Sequence, residues 1–151
     1  MKQSIQRSVE QIRYQAMILN NVPDAVVVWN KEGNITFWNA AASGLFNSPA
    51  EERLGEHVTQ FYFPFFSPPL TYPLTNIEDK EVERKIITQS GKTIWVSSRI
   101  TGLVAASEDK QNIGYMDVIR DITERKLMEE RIQGAQARLI QIADHPSVAR
   151  Q

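Results

Sequence analysis

Two stretches with helical period bracket a middle with strand period, and that arrangement most constrains the fold. Ile5, Val9, Ile12, Ala16 and Leu19 fall on one face of an amphipathic helix, a short heptad seam. Asn20-Asn21-Val22-Pro23 ends it, because proline disfavours helical backbone in the residue before it. The same spacing returns at Met128, Ile132, Ala135, Leu139 and Ile142. It predicts a second helix over residues 123–143, with Pro146 opposing continuation. The chain therefore reads as three parts: an N-terminal helix over 1–21, a globular domain over 22–122, and a helix with linker over 123–151.

The middle part reads as antiparallel. Ala25-Val26-Val27-Val28-Trp29 is a β-branched run, Asn30–Asn34 a turn, and Ile35-Thr36-Phe37-Trp38 the returning strand. Asn39 is a good N-cap for a short helix over 40–45. Ser48-Pro49-Ala50-Glu51 has the pattern of a capping box with proline at the first helical position. Further on, residues 82–88 and 93–105 flank Gln89-Ser90-Gly91-Lys92, a hairpin signature, and residues 113–122 form a last strand. Two strands, short helices and three strands predict an α+β fold: five antiparallel strands with helices on one face.

Composition narrows the chemistry. Among 151 residues there is no cysteine, so disulfide scaffolds, thiolate nucleophiles, zinc fingers and iron–sulfur clusters are excluded. Only His57 and His145 offer imidazole. Lys plus Arg number 17 against 18 Asp plus Glu, a net charge of -1 that supplies no footprint for nucleic acid. No apolar run approaches the ~20 residues of a membrane span, and no secretion signal is visible. A cytoplasmic protein without direct membrane contact is expected. No phosphate-binding glycine loop and no nucleophile motif occur, so the chain is expected to be non-catalytic.

The run Val22-Pro23-Asp24-Ala25-Val26-Val27-Val28, followed by Glu32-Gly33-Asn34-Ile35-Thr36-Phe37-Trp38-Asn39, resembles the opening of a PAS domain. Arg120-Asp121-Ile122-Thr123-Glu124-Arg125-Lys126 is similar to the Asp-Ile-Thr ending that joins the last strand of such domains to a signalling helix. The hairpin around Ser90-Gly91 lies between them, where the family has one. The resemblance covers about residues 20–126 and implies a sensory and dimerisation module of a signal-transduction protein, such as a two-component system. It implies an output domain in the full-length protein, and a signal relayed through Asp121, Ile122 and Thr123 to a coiled-coil helix. The alternatives are a ligand-free dimerisation scaffold or a fragment of a histidine kinase, since Asp144-His145-Pro146 follows the helix. The two seams predict a parallel homodimer through Ile5, Val9, Ile12, Leu19, Met128, Ile132, Leu139 and Ile142.

The resemblance also indicates where a cofactor would sit, though it leaves the ligand unknown. Flavin-binding members read the ring edge with amide side chains on the last three strands; the matching positions here are Ile86, Val96 and Ile119. None can hydrogen-bond, so flavin is disfavoured by ~1–3 kcal/mol per unpaired group. His57 could reach a haem iron, or be a surface histidine beside Glu56. The segment from Gln60 to Pro73 holds six aromatics and four prolines and should be irregular. Core filling is the favoured role for its rings, a lid over a small apolar metabolite the second, and a partner-binding patch the third.

Strand alternation puts Tyr115, Asp117 and Ile119 on one face of the last strand, the inward one by analogy. A buried carboxylate needs a partner; Ser97, Ser98, Arg99 and Thr88 are candidates, and a ligand amine or hydroxyl is another. The favoured expectation is a bulge or register shift that leaves Asp117 at the sheet edge. Asp121 is expected to tie the strand end to the Asn30–Asn34 turn and to Thr123, with Arg120 solvated or ion-paired.

Overall fold

The computed structural model describes residues 17–144 apart from 75, 76, 78, 107 and 110, and for 141–144 the backbone alone. Ile5, Val9, Ile12, His145 and the side chain of Ile142 thus lie outside the described residues. The chain divides into two compact units after Asp121.

In the first unit, residues 17–21 are helical. There follow β1 (Ala25–Asn30), β2 (Ile35–Trp38), α1 (Ala40–Phe46), α2 (Ala50–Arg53) and α3 (Val58–Phe61). A 3-10 turn over Phe63–Phe65 leads into β3 (Phe66–Ser67), β4 (Glu81–Ile87), β5 (Thr93–Val104) and β6 (Asn112–Asp121). The strands form one antiparallel sheet in the order β2-β1-β6-β5-β4-β3, so the first and last long strands are central neighbours.

The sheet has six strands rather than the expected five. The extra one is two residues long, with Phe66 opposite Ile86 and Ser67 opposite Lys85. It comes from the segment expected to be irregular. There, proline breaks a long helix but is tolerated in the first turn of a short one, and Pro64 occupies that place in the 3-10 turn.

The turn between β1 and β2 is closed by Asn30. Its carbonyl accepts from the Gly33 N–H at 2.9 Å, and its side-chain oxygen accepts from the Asn34 N–H at 2.9 Å. Gly33 has φ +91°, which side-chain-bearing residues rarely adopt. The β4–β5 hairpin closes as expected, with the Thr88 N–H donating to the Lys92 carbonyl at 2.9 Å.

The expected capping box does not form. Helix α2 begins at Ala50 with Pro49 as its cap and no side-chain cap bond. Pro49 keeps extended backbone dihedrals, so the helix starts one residue later than the pattern predicts. Ser48 is buried instead; its carbonyl accepts from Trp38 Nε1 at 3.0 Å, and its Oγ has no hydrogen-bond partner among the described residues.

The core lies between the inner face of the sheet and the short helices. Ala25, Val27 and Trp29 of β1, Ile119 of β6, Ile94, Val96 and Ile100 of β5, and Ile86 of β4 form its floor. Phe46, Val58, Phe61, Tyr62 and Phe63 form its roof, and Phe66 of β3 joins the same core. Each such side chain contributes roughly 1.5–3 kcal/mol when fully buried, so the aromatic segment supplies much of the cohesion. Core filling, the favoured expectation for those rings, is what is observed for Phe61, Tyr62, Phe63 and Phe66, while Tyr72 is exposed.

The second unit is α4 (Thr123–Asp144), 22 residues long, its first turn closed by the Lys126 N–H donating to the Ile122 carbonyl at 3.0 Å. Met128, Ile132 and Leu139 are 55%, 55% and 66% exposed.

Candidate functional site

Asp117 is fully buried at the centre of the inner face. The expected displacement to the sheet edge does not occur, because β6 stays in register with both neighbours there. Val27 stands opposite Asp117 on one side and Ile100 on the other. The irregularity between β5 and β6 falls at Leu103 and Val104 instead.

Two hydroxyls hold the carboxylate. Tyr62 Oη donates to Oδ2 at 2.6 Å and Ser98 Oγ donates to Oδ1 at 2.7 Å. Burial pushes Asp117 above the ordinary carboxyl value, while the two hydrogen bonds and the charge of Arg84 pull it back. Burial, then the Asp117 charge, pushes Tyr62 well above the ordinary phenol value. The phenol therefore keeps its proton and acts as the donor. Arg84 is half-buried on β4, and its Nε has no hydrogen-bond partner among the described residues.

Of the companions proposed for Asp117, Ser98 is the one that binds it. Arg99 pairs with Asp79 at 2.7 Å, Thr88 closes the hairpin, and Ser97 stands opposite Arg120. Tyr62 was missed. It sits in the proline-broken aromatic run, where no periodicity assigns a facing direction. Arg84 was missed as well, although alternation with the core residue Ile86 points to it.

The remaining cofactor positions are packed with protein. Ile86, Val96 and Ile119 are each at most 1% exposed. Aromatic rings fill the space above the sheet: Trp29 meets Phe63 edge-on at 5.5 Å and Tyr62 at 5.8 Å, and Tyr62 meets Phe66 at 5.2 Å. Half-buried Tyr115 joins them, its ring 6.0 Å from Trp29.

His57 is a structural residue. Its Nε2 lies 2.9 Å from the Glu32 carbonyl, and its Nδ1 accepts from the Thr59 N–H at 3.3 Å, capping α3. One tautomer, with the proton on Nε2, satisfies both bonds. The imidazole also stands edge-on to Tyr72 at 4.7 Å and directly above Gly33, where a Cβ would collide with it. Both ring nitrogens are engaged in these contacts.

The end of β6 is also placed differently from expectation. Asn30 stands opposite Gly114 and Ala25 opposite Ile119, so the Asn30–Asn34 turn lies at the far end of β6 from Asp121. Antiparallel pairing of β1 with β6 makes the expected tie impossible. The residue just ahead of β1 takes that place: Asp24 receives Arg120 at 3.3 Å, an exposed pair. Asp121 pairs across with Val96, Ile122 is buried, and Thr123 opens α4.

Asn39 does more than cap a helix. Its Oδ1 accepts from the N–H groups of Ala42 and Val26, each at 2.9 Å, and its Nδ2 donates to the carbonyls of Leu19 at 2.7 Å and Asp24 at 3.0 Å. One buried amide thus joins α1, β1 and the helical residues ahead of the sheet.

A cleft of about 500 Å³ opens between α1 and the β4–β5 hairpin. Among the described residues no group of three potential metal ligands occurs, and no helix is long and apolar enough to cross a membrane.

The chain resembles known proteins along most of its length. The model of the PAS fold matches residues 13–122. Two-component system protein A of Emericella nidulans is 29% identical over 119 residues, which is 75% of this chain but 17% of that protein. The PAS domain of the HTR-like protein from Haloarcula marismortui superposes with a TM-score of 0.59 at 18% identity, over 81% of this chain and 100% of that one. The PAS domain of BvgS from Bordetella pertussis gives 0.60 at 20% identity, over 85% and 98%. With its sheet order, its short roofing helices and the match over residues 13–122, this chain belongs to the PAS fold family.

Proposed function

We propose that the chain is the sensory and relay module of a multidomain signal-transduction protein of the two-component type. In this reading, the packing state of the inner face passes along β6 into α4. The carrying observation is the position of Asp117. It is clasped by Tyr62 and Ser98 in the core, and it lies on the strand that runs through Asp121 and the single residue Ile122 into a 22-residue helix. A change in the roof that moves Tyr62 pulls on that strand. The Emericella nidulans relative, a two-component system protein, supports the signalling context. The chain spans 17% of that relative, and this reading assigns any catalytic output to another part of the full-length protein. The exposed seam of Met128, Ile132 and Leu139 supports a parallel homodimer that sets two output domains side by side. A cytoplasmic location fits this role.

The filled inner face favours a second reading, a ligand-free dimerisation scaffold. Insertions into α4 of the signalling protein separate the two. A relay through paired helices depends on phase, so four inserted residues after Arg131 should abolish regulated output and seven should restore it. Output indifferent to the four-residue insertion would exclude the relay and leave the scaffold.

A further inference from the structure

We propose that Tyr72 is a latch that holds residues 68–74 as a strap against the β1–β2 turn, and that this strap opens while the sheet stays folded. The catch is the backbone of the turn. Its three consecutive carbonyls, Lys31, Glu32 and Gly33, accept from Tyr72 Oη at 3.0 Å, from His57 Nε2 at 2.9 Å and from the Val58 N–H at 2.9 Å. His57 and Val58 belong to the start of α3, whereas Tyr72 comes from the strap and stands edge-on to the His57 ring at 4.7 Å. Both rings lie over Gly33, where a Cβ would collide with them. The glycine is thus the seat of the latch as well as the bend of the turn.

Little else holds the strap. Residues 68–74 lie in no helix or strand. Pro68, Pro69 and Pro73 have no N–H to donate. Among the described residues, the strap's one backbone hydrogen bond runs from the Leu70 N–H to the Phe63 carbonyl at 3.2 Å. Leu70 and Leu74 pack against the core but stay half-buried, and the other five residues are exposed. Segments with so few buried contacts open at a lower free energy than a core does. The sheet is the opposite case: β1, β6 and β5 each have a strand on both sides, and no strap residue belongs to the ladder. Opening therefore breaks no ladder bond.

Release would be felt beside the central contact of the domain. Phe63 follows Tyr62, whose phenol holds Asp117, so loss of the Leu70–Phe63 bond frees the roof next to that pair. In the relay reading this is the movement that reaches β6. That link rests on the relay; the latch does not.

The test is native-state hydrogen exchange of this chain, with reclosing faster than exchange, read at the Leu70 amide and at the slowest amides of β1 and β6. Leu70 is expected to exchange faster than those and almost independently of low urea concentrations, since opening the strap bares little surface. Tyr72→Phe keeps the ring, removes the donor, and should speed Leu70 about fivefold. Ile94→Val removes one methyl group from the core on β5. It should speed the β1 and β6 amides about fivefold and leave Leu70 unchanged. A Leu70 amide that follows urea and Ile94→Val as the sheet does would mean that the strap opens only with the whole domain, and overturns the proposal. A Leu70 rate unmoved by Tyr72→Phe overturns the latch. Neither result bears on the α4 insertions, so the two readings fall separately.

Discussion

Tyr62 and Asp117 are 55 residues apart in sequence, yet the phenol donates to the carboxylate across 2.6 Å in the core. This contact joins the roof of the domain to its central strand. Tyr62→Phe removes one donor from a buried acceptor and should destabilise the fold by about 1–3 kcal/mol. Asp117→Asn keeps the shape, and its amide can both accept from Tyr62 and donate to Ser98, so its cost should stay below about 1 kcal/mol. Asp117→Ala should cost more than either. Urea denaturation of the three variants checks this order; equal midpoints for wild type and Tyr62→Phe would show that the contact contributes nothing.

The same pair sets a pH dependence. Burial raises Asp117, so the folded state holds a proton that the unfolded chain has already released. That contribution is fully present below about pH 4 and is lost as pH rises through the folded value. Tyr62 is also raised, so its contribution persists to about pH 10 and is lost above it, as pH passes the folded value. Exposed Asp79, lowered by its hydrogen bond from Arg99, slopes the other way at acid pH. The diagnostic quantity is therefore the difference between variants. Asp117→Asn should remove the acid-side loss with rising pH, and Tyr62→Phe the alkaline one, in denaturation midpoints recorded across both ranges.

Asn39→Ala should be among the most damaging polar substitutions. It strips the cap from α1 and leaves the Val26 N–H and two carbonyls without their partner. The loss should be about 3 kcal/mol. Asn39→Ser restores a capping oxygen but not the two donors, and should recover about 1 kcal/mol of it. Thermal melting distinguishes the two; an Asn39→Ala protein that melts with wild type would remove Asn39 from its place as a joint.

One substitution at two glycines should have opposite signs. Gly44→Ala adds a methyl group into open space within a helix and should stabilise by about 0.5–1 kcal/mol. Gly114→Ala would press its Cβ against the Trp29 carbonyl and the Asn30 Cα across the β1–β6 ladder. It should destabilise by about 2–3 kcal/mol. Denaturant midpoints that move the same way for both would contradict this packing.

The α4 seam is expected to hold two copies together. Leu139→Asp puts an unpaired charge into an apolar contact and should weaken self-association about tenfold or more. Sedimentation at micromolar concentration reads it directly. A monomeric wild type would dismiss the homodimer.

Local pattern carried most of the architecture. Alternation along β6 put Tyr115, Asp117 and Ile119 on one face, although Asp117 was expected at the sheet edge and is instead buried. The Ser90-Gly91 turn located the hairpin, and heptad spacing placed α4 to within a residue. The failures have a common physical origin. A two-residue strand such as Phe66–Ser67 is too short to show a period, and it exists only because β4 offers an edge. The partner of Asp117 lies in a proline-broken run whose facing direction depends on tertiary packing. Ser48 matched a capping pattern, but Pro49 keeps an extended backbone and becomes the cap itself, which spacing alone does not reveal. Asp121 was assigned to the wrong turn because the register between β1 and β6 is not written in either strand alone.

The central place of β1 beside β6 has a mechanical consequence. Ala25, where the chain enters the ladder, stands opposite Ile119, close to where it leaves, and the strands run antiparallel from there. A pull between those two points loads the hydrogen bonds one after another from that end, as a zip opens, instead of loading them all in shear. The domain should therefore yield to a small stretching force applied through its two flanks, while resisting chemical denaturation as a well-packed core does.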